Sequence, residues 1–348
     1  MNKENGRVET QIHWIGFTLK ALQPVSKDEV VELLGMTDCL CCRSFSARQG
    51  YRCQHFIKGT DITILTEGKS TMGTHVDIPG GSLTALQKAI CTRYQKTEDT
   101  WLAFFLQLIL DHGGKFTRID LAVDDIGGSH FTMPDLYRYE KKGQIITKFR
   151  RSSRRTDKKS RQEVGAQLTY GNRSGMVFVR IYEKSEEENN NQGKTEYRYP
   201  PHTVRWEFEL KKQRANSIAK LLVQMNGSVP AIAQSLLKYY FRIVRRDNKN
   251  TTRCTILPKW KKFIRDAKDM PLTAEMKEFN MDHQLRYVRN ALPTLAAVVQ
   301  LLGDDFGYVE KLLQEYREKA SPELLEYIRT HQSAADRQRV KEFLKFRQ

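Results

Sequence analysis

The chain has 348 residues, with 58 Lys and Arg against 41 Asp and Glu and a formal net charge of +17. Such a length can bury a sizeable core and divide into two domains, and such a charge favours an anionic partner, nucleic acid before an acidic membrane surface. The longest apolar stretch, residues 101–110, falls far short of the ~20 residues a membrane span requires. The polar start Met1-Asn2-Lys3-Glu4-Asn5 is no secretory signal, and no phosphate-cradling GxxxxGK[ST] loop is present. A cytoplasmic protein that does not hydrolyse ATP and does not bind membranes is expected.

In chain order, residues 11–20 read as a first strand with Ile15, Phe17 and Leu19 on one face. Ser26 is placed to cap a helix running through Leu34, with Asp28 and Glu29 in its first turn. Residues 51–57 and 62–65 form a hairpin pattern around Lys58-Gly59-Thr60-Asp61. Residues 74–78 make another strand, ending at Pro79-Gly80-Gly81. Ser82 opens a helix through Arg93, and Thr100 opens the apolar helix through Asp111.

Residues 117–125 then alternate cleanly. Ile119, Leu121 and Val123 share one face, while Arg118, Asp120, Ala122 and Asp124 share the other. A helix over residues 133–142 follows. Residues 148–161 are a dense cationic run without periodicity, read as a loop whose Arg150, Arg151, Arg154, Arg155, Lys158 and Lys159 cover DNA phosphates through charge. The other reading of that run is a solubilising segment.

Residues 166–170 and 176–184 should pair as a hairpin across Gly171-Asn172-Arg173-Ser174-Gly175. In the second arm Val177, Val179 and Ile181 point one way and Phe178, Arg180, Tyr182 and Lys184 the other, so a tyrosine hydroxyl stands between two cations. Cations favour the phenolate and attract a phosphate, which suits attack on a phosphodiester. The plainer reading is a structural tyrosine on a solvated strand.

Residues 185–193 form a polar link to a further strand over residues 203–210. There Arg205, Glu207 and Glu209 oppose Val204, Trp206, Phe208 and Leu210. Repeated carboxylates are unusual on a strand. If these strands share a sheet, Asp120, Asp124, Glu207, Glu209 and Tyr182 converge on its polar face, where carboxylates suit Mg²⁺ or Mn²⁺. Cross-strand pairs with Arg118 and Arg205 are the competing explanation.

Helices dominate from Ala215 onward. Residues 238–265 interleave cations with Tyr239, Tyr240, Phe241 and Trp260, either to stack unpaired bases or as the buried side of basic helices. Cys39, Cys41, Cys42 and Cys53 with His55 lack the C-x₂₋₄-C spacing of a zinc site, so reduced thiols are expected. Past Asp269 the pattern is wholly helical and amphipathic. The expected division is residues 1–269 and 270–348. The expected class is α+β: an antiparallel sheet with the active site on one face and helices on the other, plus an all-helical C-terminal extension.

Four segments in this order carry a family resemblance. They are Met72-Gly73-Thr74-His75-Val76-Asp77-Ile78-Pro79-Gly80-Gly81, Thr117 through Asp125, Gly171 through Lys184, and Arg205-Trp206-Glu207-Phe208-Glu209-Leu210-Lys211. Together the chain resembles the replication initiation factors of rolling-circle plasmids and the related relaxases of integrative conjugative elements, over about residues 8 to 265. The resemblance implies that residues 1–269 are a DNA-nicking domain with Tyr182 as nucleophile and Asp120 and Glu207 as metal ligands, with Asp124 and Glu209 as further candidate ligands. It implies a 5′-phosphotyrosyl link, a free 3′-OH, and the absence of a histidine-pair motif. The chain departs from the family at Pro79-Gly80-Gly81-Ser82, where members carry a Ser-Gly-rich turn leading to a Cys-Arg pair. Expected partners are a plasmid double-strand origin and single-stranded DNA, with the helical tail serving dimerisation or recruitment of a host helicase. Transfer-origin nicking, or origin binding without catalysis, are the alternatives.

Overall fold

The computed structural model describes residues 7–19, 25–36, 41–44, 48–69, 72–159, 162–191, 199–265, 267, 281–317, 337, 338 and 340–342. In chain order these give β1 (Val8–Leu19), α1 (Lys27–Leu33), β2 (Cys41–Ser44), β3 (Cys53–Ile57), β4 (Thr63–Thr66), β5 (Thr74–Pro79), α2 (Leu83–Tyr94), α3 (Trp101–Asp111), β6 (Gly114–Asp125), α4 (Met133–Lys141) and β7 (Ile145–Thr147). Then follow β8 (Ser152–Lys159), β9 (Gln162–Gly171), β10 (Val177–Glu183), α5 (Lys184–Asn191), β11 (Val204–Lys211), α6 (Gln213–Gln224), α7 (Val229–Tyr240), β12 (Phe241–Ile243), α8 (Pro258–Ile264), α9 (Met281–Leu301) and α10 (Phe306–Arg317). The chain divides into two compact units, Met1–Thr273 and Ala274–Gln348.

In the first unit ten strands form one sheet in the order β2-β3-β4-β5-β1-β6-β11-β10-β9-β8, and every neighbouring pair is antiparallel. The alternation in the sequence dictates its two faces. Ile15, Phe17, Ile119, Leu121, Val179, Ile181, Trp206 and Phe208 are buried on one of them, against α3, α6 and α7. Those helices contribute Phe105, Leu106 and Ile109, then Ile218 and Leu222, then Ile232 and Leu236. The other face carries the ionisable side chains.

Of the expected helix openers, Ser26 caps as the sequence indicates, whereas Thr100 makes no side-chain cap to α3. Ser26 forms a reciprocal capping box with Glu29, and Thr132 caps α4 through the Asp135 amide. Ser82 instead accepts from the Asp61 amide at 2.8 Å, tying α2 to the β3–β4 hairpin.

Three expectations are corrected. The basic run is not an irregular loop: residues 152–159 are β8, the edge of the sheet, paired with β9. Cations are ordinary on an exposed edge because they discourage pairing with another chain, and they leave the ladder on the inner side intact. Residues 185–191 lie within α5 rather than a link. Strands do not stop at Lys211, because β12 pairs with β7 in a second, two-stranded sheet.

The aromatics of residues 238–265 serve the core. Phe241 and Trp260 are fully buried and Tyr240 nearly so, packed in a ring cluster with Trp206 and Phe263. Tyr239 lies under the Lys148 ammonium, 3.1 Å from its ring centroid. Residues 238–265 thus provide no open stacking platform through Tyr240, Phe241 or Trp260. Cys39, and the side chains of Cys41 and Cys42, lie outside the described residues; Cys53 is buried.

The second unit contains α9 and α10. Among the described residues no helix is long and apolar enough to cross a membrane.

Candidate active site

β6, β11 and β10 are consecutive neighbours, so their polar faces join. Glu209 lies opposite Asp120 and Glu207 opposite Ala122. Across the other ladder Arg180 lies opposite Glu207, and Tyr182 opposite Arg205.

Glu207 is the hub of this face. It is 1% exposed. Its Oε2 accepts a hydrogen bond from the Tyr182 hydroxyl at 2.9 Å, and its Oε1 accepts from Arg180 Nη2 at 2.7 Å. His13 Nδ1 stands 3.6 Å from the same Oε1. Burial works against ionisation of Glu207, but the Arg180 charge and the hydrogen bonds from Arg180 and Tyr182 hold its carboxyl below the usual range.

Tyr182 responds in the opposite sense to the sequence expectation. Burial, reinforced by the negative charge of Glu207, pushes its phenol well above the ordinary value, and Arg205 and Arg180 offset only part of this. Arg180 stays close, its guanidinium carbon 5.5 Å from the Tyr182 ring centroid. Lys184 starts α5 and donates to Glu187 at 2.6 Å.

Asp120 is fully buried. Arg118 clamps it through Nε at 2.9 Å and Nη2 at 2.5 Å. Burial prevails over that clamp and, with the charges of Glu207 and Glu209, pushes Asp120 up to about 7. Asp120, Glu207 and His13 each offer one ligand atom, and these atoms lie within 4.8 Å of one another.

His13 is the member of this cluster that alternation hides. By strict period it belongs with Ile15 on the core face. A bulge between Ile12 and Trp14 inserts His13 as an extra residue against β6 and turns it to the polar face. The turn after β5 seats it: a Cβ on Gly80 would fall 2.9 Å from the His13 carbonyl oxygen and 3.2 Å from its ring Cδ2. Burial lowers the His13 pKa despite Glu207, which keeps the imidazole neutral and able to ligate.

These residues fit a divalent cation by their donor chemistry, two carboxylates and one neutral imidazole. A buried atom adds to the fit, because His13 Nδ1 has no hydrogen-bond partner.

The other two expected ligands sit differently. Asp124 accepts from Arg205 Nε and Nη2, both at 2.7 Å, and from Gln11 Nε2 at 2.8 Å. It belongs to a cross-strand pair, outside the cluster. Glu209 faces Lys211 through Oε1 and lies 3.6 Å from Arg118 through Oε2. Of the expected DNA contacts, Arg150, Arg151, Arg154 and Arg155 are exposed at the β8 edge, with Arg154 over the Tyr137 ring at 4.0 Å. The side chains of Lys158 and Lys159 lie outside the described residues.

Comparison with known proteins agrees with this architecture. Residues 114–338 match the sequence model of a family described as Replication initiation factor. A curated relative named "Putative DNA relaxase NicK", from Bacillus subtilis (strain 168), is 29% identical over 211 residues, covering 58% of this chain and 57% of the relative. The chain therefore matches little more than half the length of that protein. The solved structure of a rolling circle replication initiator protein from Geobacillus stearothermophilus superposes with a TM-score of 0.62, over 78% of this chain and 100% of that one, at 21% identity. That likeness establishes the fold.

Proposed function

The chain belongs to the replication initiation factor family, and from that membership we propose that it nicks and rejoins one DNA strand with Tyr182 as nucleophile, to start rolling-circle replication. The observation that carries this reading is the 2.9 Å hydrogen bond from the Tyr182 hydroxyl to Glu207, itself a member of the His13–Asp120–Glu207 cluster.

Tyr182 Oη attacks the scissile phosphorus, and the bond from phosphorus to the 3′ oxygen breaks. Glu207 Oε2, ionised and already accepting from the phenol, receives its proton. The 3′ oxygen leaves and takes up a proton, and the 5′ phosphate remains on Tyr182. The reverse attack by a 3′-OH restores the phosphodiester, so bond energy is conserved and no ATP is consumed. Arg180 holds Glu207 in place and adds positive charge beside the ring.

His13, Asp120 and Glu207 would hold Mn²⁺ or Mg²⁺, and the imidazole donor favours Mn²⁺. Such an ion would supply positive charge to the phosphate oxygens and offset the Glu207 charge that keeps the phenol protonated. The β8 arginines contact phosphates without reading sequence.

The test is Tyr182→Phe incubated with origin single strands and Mn²⁺. The variant should bind DNA as the parent does and form no heat-stable covalent adduct. An adduct on the Phe variant would falsify the assignment.

A second reading has its own support in the relaxase relative: the same chemistry at a transfer origin. Genes for a coupling protein beside this one would favour transfer, and a plasmid origin would favour replication.

A further inference from the structure

Arg118 lies against three groups of this face, Asp120, Trp14 and Glu209. It clamps Asp120 through Nε and Nη2. Its guanidinium carbon sits 4.5 Å from the centroid of the Trp14 ring. Its Nη2 is also 3.6 Å from Glu209 Oε2. That Glu209 oxygen is buried without a hydrogen-bond partner, while the other is taken by Lys211.

Trp14 is a fixed platform for this arm. Its indole donates to Asp77 Oδ1 at 3.1 Å, and Asp77 is held in turn by Arg48 at 3.0 Å. Gly16 allows this approach, because a Cβ there would lie 3.0 Å from Asp77 Oδ1. The guanidinium can therefore slide across Trp14 toward Glu209 while keeping its aromatic contact. A displacement below about 1 Å brings Nη2 to hydrogen-bond distance of Oε2.

A buried carboxylate needs a counter-charge whether or not a metal ion is present. We infer that Arg118 is the resident counter-cation of the Asp120 ligand site, and that Glu209 receives Arg118 when a divalent cation takes its place. This rests on the reading of His13, Asp120 and Glu207 as a metal site. It assigns Glu209 as a partner of Arg118, and not as a ligand. The orphaned Oε2 is then an acceptor kept free for the loaded state.

The test is Mn²⁺ binding to the full chain without DNA, followed by the electron paramagnetic resonance signal of free Mn²⁺. Arg118→Met removes the competing cation and should tighten Mn²⁺ binding roughly tenfold, the equivalent of one charge-assisted hydrogen bond. Arg118→Lys keeps a charge without the fork and should fall between, which guards against a Met variant that folds poorly. Glu209→Gln should weaken binding in the otherwise unsubstituted chain and leave it unchanged in the Arg118→Met chain.

Equal weakening in both backgrounds would make Glu209 a ligand and overturn the inference. Weaker or unchanged Mn²⁺ binding by Arg118→Met would overturn it too, with the metal site itself intact. No binding by the unsubstituted chain would remove the metal site, and the inference with it.

Discussion

Around Arg205, one end of the polar face is closed. Asp124 takes both guanidinium hydrogen bonds and one from Gln11, and Tyr199 accepts from Arg205 at 2.8 Å and Gln11 at 2.9 Å. Around Glu207, on the same strands and with the same residue types, the face is open. Asp120 is pushed up to about 7, and His13 Nδ1 and Glu209 Oε2 lack hydrogen-bond partners. Both ends bury their charges, so burial alone does not tell them apart. The difference is satisfaction. A buried pair with every hydrogen bond made holds strands together, whereas a buried set with atoms left over is shaped for something else to bind.

The two ends should differ most when one carboxylate is removed from each. Glu207→Gln should lower the nicking rate about a hundredfold or more, through loss of a proton acceptor and a ligand, and should abolish the Mn²⁺ response. Asp124→Asn should leave Mn²⁺ binding unchanged and cost about 3–5 kcal/mol of folding stability, by leaving Arg205 buried and unpaired. Urea melts and Mn²⁺ titrations on both variants decide. Should Asp124→Asn lose the metal while keeping its stability, the two ends have been assigned the wrong way round.

The pH dependence of the metal-free protein sharpens the same contrast. The folded pKa of Asp120, about 7, lies above its ordinary value of 3.8. A raised folded pKa means the folded state holds the proton more tightly, so this stability is complete below about pH 4 and disappears as pH rises through about 7. The shift corresponds to about 4 kcal/mol, lost across that window. Chelator-treated protein should therefore show a stability difference between pH 5 and pH 8 that Asp120→Asn removes. A difference of the same size in the Asn variant would mean that another group sets the slope.

Gly80→Ala should act more weakly, through His13. A methyl group 2.9 Å from the His13 carbonyl forces the bulge to shift, and displacing one ligand by such an indirect contact weakens metal sites about 10–100-fold. The readout is Mn²⁺ affinity with stability followed in parallel. Unchanged affinity in a folded variant would show that the turn does not seat the histidine.

These contrasts also show what the sequence could carry. Period-two alternation placed Asp120, Glu207 and Tyr182 on one face of their strands, because a strand allows only two directions. It could not separate Asp124 from Asp120, since both lie on that face and only the three-dimensional partners differ. It left His13 unnoticed, because a one-residue bulge between Ile12 and Trp14 inverts the parity that would set it beside Ile15. A signal was available: Ile12 and Ile15 are three apart, which no regular strand can bury on one side. The phenol was misread because alternation along one strand reveals neither its burial nor the Glu207 carboxylate against its hydroxyl, and Lys184 turns to Glu187. Charge density in residues 152–159 hid the strand, since edge position and not composition decides whether cations are tolerated there.

The smallest expected effect lies at that edge, and it separates electrostatic contact from the chemistry. Arg150, Arg151 and Arg155 are exposed there, away from the buried carboxylates around Glu207. If each neutralises one phosphate, replacing Arg155 by Ala should weaken single-strand binding at every sequence tested and reduce the slope of log affinity against log salt by about 0.7. The amount of Tyr182 adduct at saturating DNA should not change, because a phosphate contact positions the strand without entering the reaction. A loss of adduct at saturation with the salt slope intact would place Arg155 in the reaction itself. A fall in affinity confined to one origin sequence would instead make the edge a reader of bases.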